Sequence, residues 1–199
     1  MRYWSIWDDV WFDCHVIDDS RRLGNWTGFN PMKMKIAFIL LILLPAAVYA
    51  ADTKTRITAH PLEGKDLQGE KVRLAALQGN VVVISFWATW CAPCKKELKF
   101  LNELLKTKSA QGFRVIAISI DGPESAADIR TIVKRYRLKM SVIHDKEGSI
   151  IAVWNSKATV PFSIFIDRRG RIAYSHIGFS KGYQEELEKR VDELLKEGD

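Results

Sequence analysis

The sequence predicts a layered α/β fold around one central mixed sheet, and three features of the chain predict it. Val81-Val82-Val83-Ile84-Ser85-Phe86-Trp87 is a short continuous run of β-branched and aromatic residues, the pattern of a strand buried on both faces. From Pro93 onward the period turns helical, with Leu98, Leu101, Leu104 and Leu105 on one face and charged residues between them. A second apolar run, Phe113 to Ile120, follows that helix, so the connection is a crossover of the kind that joins parallel strands.

The remaining elements fall into place in order. Leu62 to Leu74 alternates weakly about Gly69, as a surface hairpin does, and Leu74 to Asn80 makes a short turn into the first buried strand. The first helix runs from Pro93 to Ser109, with Gly112 marking its end. Asp121-Gly122-Pro123-Glu124 is a turn opening a helix that reaches Arg137, with Ile129, Ile132, Val133 and Tyr136 inward. Ser141 to His144 is an added strand, and Lys146 to Asn155 holds a helical turn resting on Ile150, Ile151 and Trp154. Phe162 to Asp167 is a strand whose preceding Pro161 cannot donate to a ladder. The turn Arg168-Arg169-Gly170-Arg171 returns the chain antiparallel through Ile172 to Gly178. Tyr183 to Lys196 closes the domain as a helix, with Leu187, Val191, Leu194 and Leu195 inward.

At 199 residues and 47% hydrophobic, the chain suits one domain with a substantial core and something added at the front. Lys33-Met34-Lys35 followed by the apolar run Ile36 to Ala50 has the layout of a secretory signal, with Val48-Tyr49-Ala50 at the cleavage end. The run is shorter than the ~20 residues of a spanning helix and Pro45 interrupts it, so residues 32–50 are read as a cleaved signal, with a retained anchor over 36–50 as the alternative. Residues 1–31 carry Trp4, Trp7, Trp11 and Trp26 and more Asp than Arg, unlike the start of a signal. The expectation is that translation begins at Met32 or Met34; a disordered or cytoplasmic tail is the alternative. Residues 51–56 are expected to be loose, with the domain proper over 57–199. Cys14 leaves with the front segment, and Cys91 and Cys94 are then the only cysteines of an exported domain, which suits redox cycling in an oxidising compartment. The formal charge of +6 is unchanged by that removal, and with no clustered basic stripe it gives no case for nucleic acid.

Cys91 and Cys94 sit where the buried strand hands over to the helix. The first-turn N–H groups there lack helical partners and the macrodipole is positive, which favours a thiolate at Cys91, the form that attacks disulfides. Pro93 suits a first turn that needs no N–H bond, and Cys94 stands one turn on, within reach and less exposed. Half a zinc site would need a second Cys or His pair at metal-like spacing, which the chain lacks, and a bridge over so short a loop is a poor staple. A reversible dithiol–disulfide pair is the expected chemistry.

The stretch Phe86-Trp87-Ala88-Thr89-Trp90-Cys91-Ala92-Pro93-Cys94 resembles the active-site signature of the thioredoxin superfamily, and the continuation Lys95-Lys96-Glu97-Leu98 narrows it to the TlpA/ResA-like thiol-disulfide oxidoreductases, with cytochrome c maturation reductases among the relatives. The resemblance covers about residues 57–195 and implies a thioredoxin-like layered fold with an N-terminal hairpin extension and a central insertion. It also implies that Val160-Pro161 is a cis-proline loop offering backbone to a substrate chain, although few X-Pro bonds are cis in general. Pro161-Phe162-Ser163 stands where many relatives have Pro-Thr-Thr, and Lys99 where relatives often place a helix-kinking Pro. Thioredoxin carries a buried Asp on the preceding strand where this chain has Ser85, so Glu97 matches the acid that relatives use on Cys94. On spacing alone Glu97 could equally be a solvated carboxylate paired with helix lysines. Trp87 reads as core and Trp90 as a cover over the active-site face that meets substrate.

The expected activity is protein-disulfide reduction through Cys91, Cys94 and Glu97, with Trp90, Val160 and Pro161 binding the substrate chain. The expected partners are a disulfide-bearing extracytoplasmic protein such as apocytochrome c and an upstream membrane thiol donor. The protein is read as a periplasmic monomer with no cofactor and no metal. A disulfide-forming oxidant or isomerase is the alternative, since Ala92-Pro93 does not set the direction of electron flow. A copper chaperone would want wider cysteine spacing and a matching His, and a peroxidase a lone Cys after a Pro-Thr context. His60, His144 and His176 are scattered and form no ligand cluster or triad.

Overall fold

Residues 56–197 are described by the computed structural model; the readings on the signal segment, the start codon and Cys14 lie outside them. Among the described residues seven strands and four α-helices follow in the expected order. The strands are β1 (Glu63–Lys65), β2 (Lys71–Arg73), β3 (Val81–Trp87), β4 (Phe113–Ser119), β5 (Ser141–His144), β6 (Phe162–Ile166) and β7 (Ile172–Ile177). The helices are α1 (Ala92–Lys108), α2 (Ala126–Tyr136), α3 (Ser149–Trp154) and α4 (Tyr183–Lys196). The central sheet has the order β5-β4-β3-β6-β7. β3 pairs parallel with β4, and β4 with β5, while β6 runs antiparallel to both β3 and β7. The sheet is therefore mixed, with β3 at its centre.

Strand periodicity divides the core into two layers. Val81, Val83 and Trp87 of β3 point to one face, where they pack with Leu98, Leu101 and Leu104 of α1, Ile129 of α2, and Leu187, Val191 and Leu194 of α4. Val82, Ile84 and Phe86 point to the other, against Leu62, Leu74, Ile151 and partly buried Val72 and Trp154. Every residue of β3 is buried, which explains why its sequence shows an unbroken apolar run rather than alternation. Each fully buried side chain of this size contributes roughly 1.5–3 kcal/mol over leaving it in water. Ser85 is the one polar residue in the strand, and by parity it faces α1.

The N-terminal hairpin is a separate two-stranded sheet that covers the β5 edge. The Leu67 N–H donates to the Val142 carbonyl at 3.0 Å, and Asp66 bridges Ile143. Gly64 lies so close to Ile143 that a Cβ there would stand 3.0 Å from its Cδ1, so this contact requires the missing side chain. At the opposite edge the segment before the hairpin joins β7: the Ile172 N–H donates to the Ile57 carbonyl at 2.8 Å.

Of the segment 51–56 expected to be loose, only Arg56 is among the described residues, and it is held in place. Its side chain is 8% exposed, lies 3.1 Å from Asp167 and donates to Glu197 at 2.7 Å, tying residues 56 and 197 to the β6–β7 turn. Short-range polarity at 51–56 suggested a tail, but the carboxylates that hold Arg56 lie more than 100 positions away in sequence and only folding brings them there.

Candidate active site

β3 delivers the chain to the carboxyl edge of the sheet, where Ala88 to Trp90 turn it into α1. Cys91 is the N-cap of α1: its backbone is extended, and its Sγ accepts the Cys94 N–H at 3.2 Å. Pro93 sits in the first turn, where no helical N–H bond is lost. Cys91 and Cys94 are joined as a disulfide, with Cα atoms 5.3 Å apart. Cys94 is fully buried and Cys91 retains 5% exposure, so access to the pair is from the Cys91 side and is narrow in this oxidised form. Trp90, expected as a cover, projects into solvent at 71% exposure, while Trp87 is wholly in the core.

Antiparallel register brings the second loop to the same edge. Phe86 is opposite Phe162, so Pro161 lies beside the end of β3 from which the Cys91 loop departs. The Val160–Pro161 peptide is cis. Pro161 is buried and Val160 half-buried, packed against both core layers.

Glu97 is fully buried on the inner face of α1 rather than solvated beside its lysine neighbours, as spacing alone would also allow. Its two oxygens are held separately: Ser85 Oγ donates to Oε2 at 3.1 Å and Ser163 Oγ to Oε1 at 2.7 Å. Burial pushes its carboxyl up to about 7, a rise that the two serine hydrogen bonds only partly oppose. A carboxyl poised there can take or give a proton near neutral pH. Lys96 is exposed, and the Lys95 Nζ donates to the Thr89 carbonyl at 2.9 Å, closing the loop ahead of Cys91.

Sequence reading missed Asp121, which it took as part of a turn. Its buried carboxylate accepts the Thr89 N–H at 2.9 Å, the Thr89 Oγ1–H at 2.7 Å and the Ser119 Oγ–H at 2.7 Å. The His144 Nε2–H in turn donates to the carbonyls of Asp121 and Gly122 at 2.9 and 3.0 Å. Asp121 thus anchors the loop two residues before Cys91. The available signal was its place just beyond a parallel strand's carboxyl end, where α/β sheets present their functional loops. Tyr183 was also passed over: it is buried at the start of α4, its ring stacked 3.6 Å from that of His176, and its hydroxyl has no partner among the described residues. Among the described residues no three His, Cys, Asp or Glu side chains stand together as a metal site.

A Cys91–Cys94 disulfide at a helix N-terminus, a cis-proline loop beside it and a buried acid three residues beyond Cys94 on the same helix together form a site suited to disulfide exchange. Residues 56–175 match the model of the AhpC/TSA family. The chain is 39% identical over 113 residues to the thiol-disulfide oxidoreductase ResA of Bacillus cereus, a match spanning 57% of this chain and 64% of that protein, just under two thirds of its length. It is 34% identical over 131 residues to ResA of Bacillus thuringiensis subsp. konkukian, spanning 66% of this chain and 70% of the relative. Among solved structures, a thioredoxin-like protein from Porphyromonas gingivalis superposes with a TM-score of 0.60 at 31% identity, over 73% of this chain and 97% of that one. The thioredoxin domain of a thiol-disulfide oxidoreductase from Bacteroides vulgatus superposes at 0.57 with 25% identity, over 69% and 97%. The chain belongs to the AhpC/TSA family, among its thioredoxin-like thiol-disulfide oxidoreductases of the ResA kind.

Proposed function

We propose that the protein reduces disulfides in extracytoplasmic proteins, with Cys91 as the attacking sulfur, Cys94 as the resolving one and Glu97 as the proton acceptor for Cys94. The observation that carries this reading is the Cys91–Cys94 disulfide at the N-terminus of α1 with a buried carboxyl of pKa about 7 three residues beyond Cys94 on the same helix. In the reduced enzyme the Cys91 thiolate attacks one sulfur of the partner's disulfide, forming a mixed disulfide and releasing the partner's other sulfur as a thiolate. Val160 and Pro161 hold the partner chain and Trp90 offers it an exposed apolar face. Cys94 gives its proton to Glu97, and its thiolate attacks Cys91 Sγ. The bond from Cys91 to the partner breaks, leaving the partner reduced by two electrons and Cys91–Cys94 oxidised. An upstream membrane thiol donor returns those electrons.

The signal-like segment 32–50 supports export to the periplasm, and the resemblance of the Phe86 to Leu98 motif to that of cytochrome c maturation reductases supports apocytochrome c or a similar cysteine-bearing protein as substrate; the enzyme is read as a monomer. The midpoint potential of the Cys91/Cys94 couple tests the direction. A value near about −270 mV supports a reductant, and one near about −120 mV would assign disulfide formation instead. C91A should abolish reduction of insulin disulfides; retained exchange in that variant would overturn the assignment.

A further inference from the structure

Ser85 and Ser163 are directly opposite each other on β3 and β6, the two antiparallel strands at the centre of the sheet. Opposed residues on adjacent strands point to the same face, so both hydroxyls reach the side where α1 packs. Both serines are buried, at 0% and 1% exposure, in strands otherwise made of apolar residues. Each donates to a different oxygen of one carboxylate, at 3.1 and 2.7 Å. A buried hydroxyl costs free energy unless it is paired, so two of them at one register position are explained by what they hold.

We propose that Ser85 and Ser163 are positioning residues of the dithiol site, a cross-strand hydroxyl pair that locks both oxygens of Glu97 and sets the pH at which it accepts the Cys94 proton. This rests on the reading of Glu97 as that acceptor. Without the pair the carboxyl would be free to rotate and would lose the donors that stabilise its charge against burial. Two fixed donors stabilise the ionised form enough to keep it usable near neutral pH.

Other groups around Glu97 do not substitute for them. Cys91 and Cys94 stand on its own element, Trp87 shares its core layer from β3, and Tyr183 enters from α4 with His176 of β7 stacked behind it. The Tyr183 phenol is buried and pushed well up, by burial first and then by the charge on Glu97, so it stays protonated at any pH of interest and does not compete for the proton. His176 is held below the ordinary imidazole range, by burial first, and acts behind that ring. No hydrogen bond other than those from the two serines reaches the Glu97 carboxylate among the described residues.

The test compares the full chain with S85A, S163A, the double variant, S163T and E97Q, each first shown to be folded by urea unfolding. The readout is the pH dependence of insulin-disulfide reduction from about pH 5 to about pH 9. The wild type should gain activity through a limb near 7 as Glu97 ionises. The double variant should move that limb upward by about one pH unit, each single alanine by less, and S163T should restore it. A double-variant limb superimposed on the wild type, with the limb lost in E97Q, would overturn the serine pair and leave Glu97 in place. A limb that persists in E97Q would overturn the reading of Glu97 and the pair with it. Should the double variant not fold, an unmoved limb in both single variants overturns the proposal just as well.

Discussion

Glu97 carries the cost as well as the use of a buried carboxyl. Its pKa in the folded chain is about 7 against an ordinary 4.5, so between these values the native state holds a proton that the unfolded chain has released. The sign follows: the stability linked to this group is fully present below about 4.5 and is lost as pH rises through about 7. Replacing Glu97 by Gln removes the buried charge and should stabilise the protein at pH 8 by about 3 kcal/mol, with no difference at pH 4. Urea denaturation of oxidised wild type and E97Q at the two pH values checks this. A carboxyl maintained at that cost is consistent with function rather than folding as the reason for its position.

The element that matters most is the loop from the end of β3 to the first turn of α1. Three restraints hold it: the Cys91 cap, the Lys95 ammonium on the Thr89 carbonyl, and the Asp121 carboxylate on both the N–H and hydroxyl of Thr89. Asp121 comes from the end of β4, the parallel neighbour of β3, so the loop's position is tied to the sheet itself. Asp121→Ala would leave the Thr89 and Ser119 donors without their acceptor and should cost about 2–4 kcal/mol in unfolding free energy. The same variant should slow insulin-disulfide reduction severalfold, because the Cys91 sulfur would no longer be held at the helix terminus. Thermal unfolding together with reduction kinetics tests both, and unchanged kinetics in a destabilised variant would confine Asp121 to a structural role.

At the scale of the whole molecule, one buried carboxylate joins regions distant in sequence. Asp167 accepts from Arg56 at 3.1 Å and from the Arg171 Nε at 2.9 Å, as well as from the N–H groups of Arg169 and Arg171 at 3.0 and 2.9 Å. Burial alone would push its carboxyl up; the hydrogen bonds from Arg171 and then Arg56 outweigh burial and hold it below the usual carboxylate range. The stability it contributes is present above the ordinary 3.8 and is lost as pH falls through the lower folded value. Asp167→Asn should therefore cost about 2–4 kcal/mol at pH 7, with the gap to the wild type closing in acid. Unfolding midpoints measured as a function of pH check that course.

What lay in the sequence was whatever depends on neighbours along the chain. The buried runs of β3 and β4, the one-sided leucines of α1 and the Cys-Ala-Pro-Cys turn at their junction each report a local period or a local backbone requirement. Together with the hairpin turn Arg168-Arg169-Gly170-Arg171, they gave the order of the elements and the mixed sheet. What depends on register and long-range contact needed the folded molecule. Ser85 read as a position lacking an acid until β6 placed Ser163 opposite it and α1 lowered Glu97 between the two. Asp121 read as a turn residue and Arg56 as part of a tail, because the groups they bind lie 32 and 111 positions away. Local periodicity determines which residues enter the core; only tertiary packing decides which polar groups meet there, since a buried charge is tolerated only where distant partners converge on it.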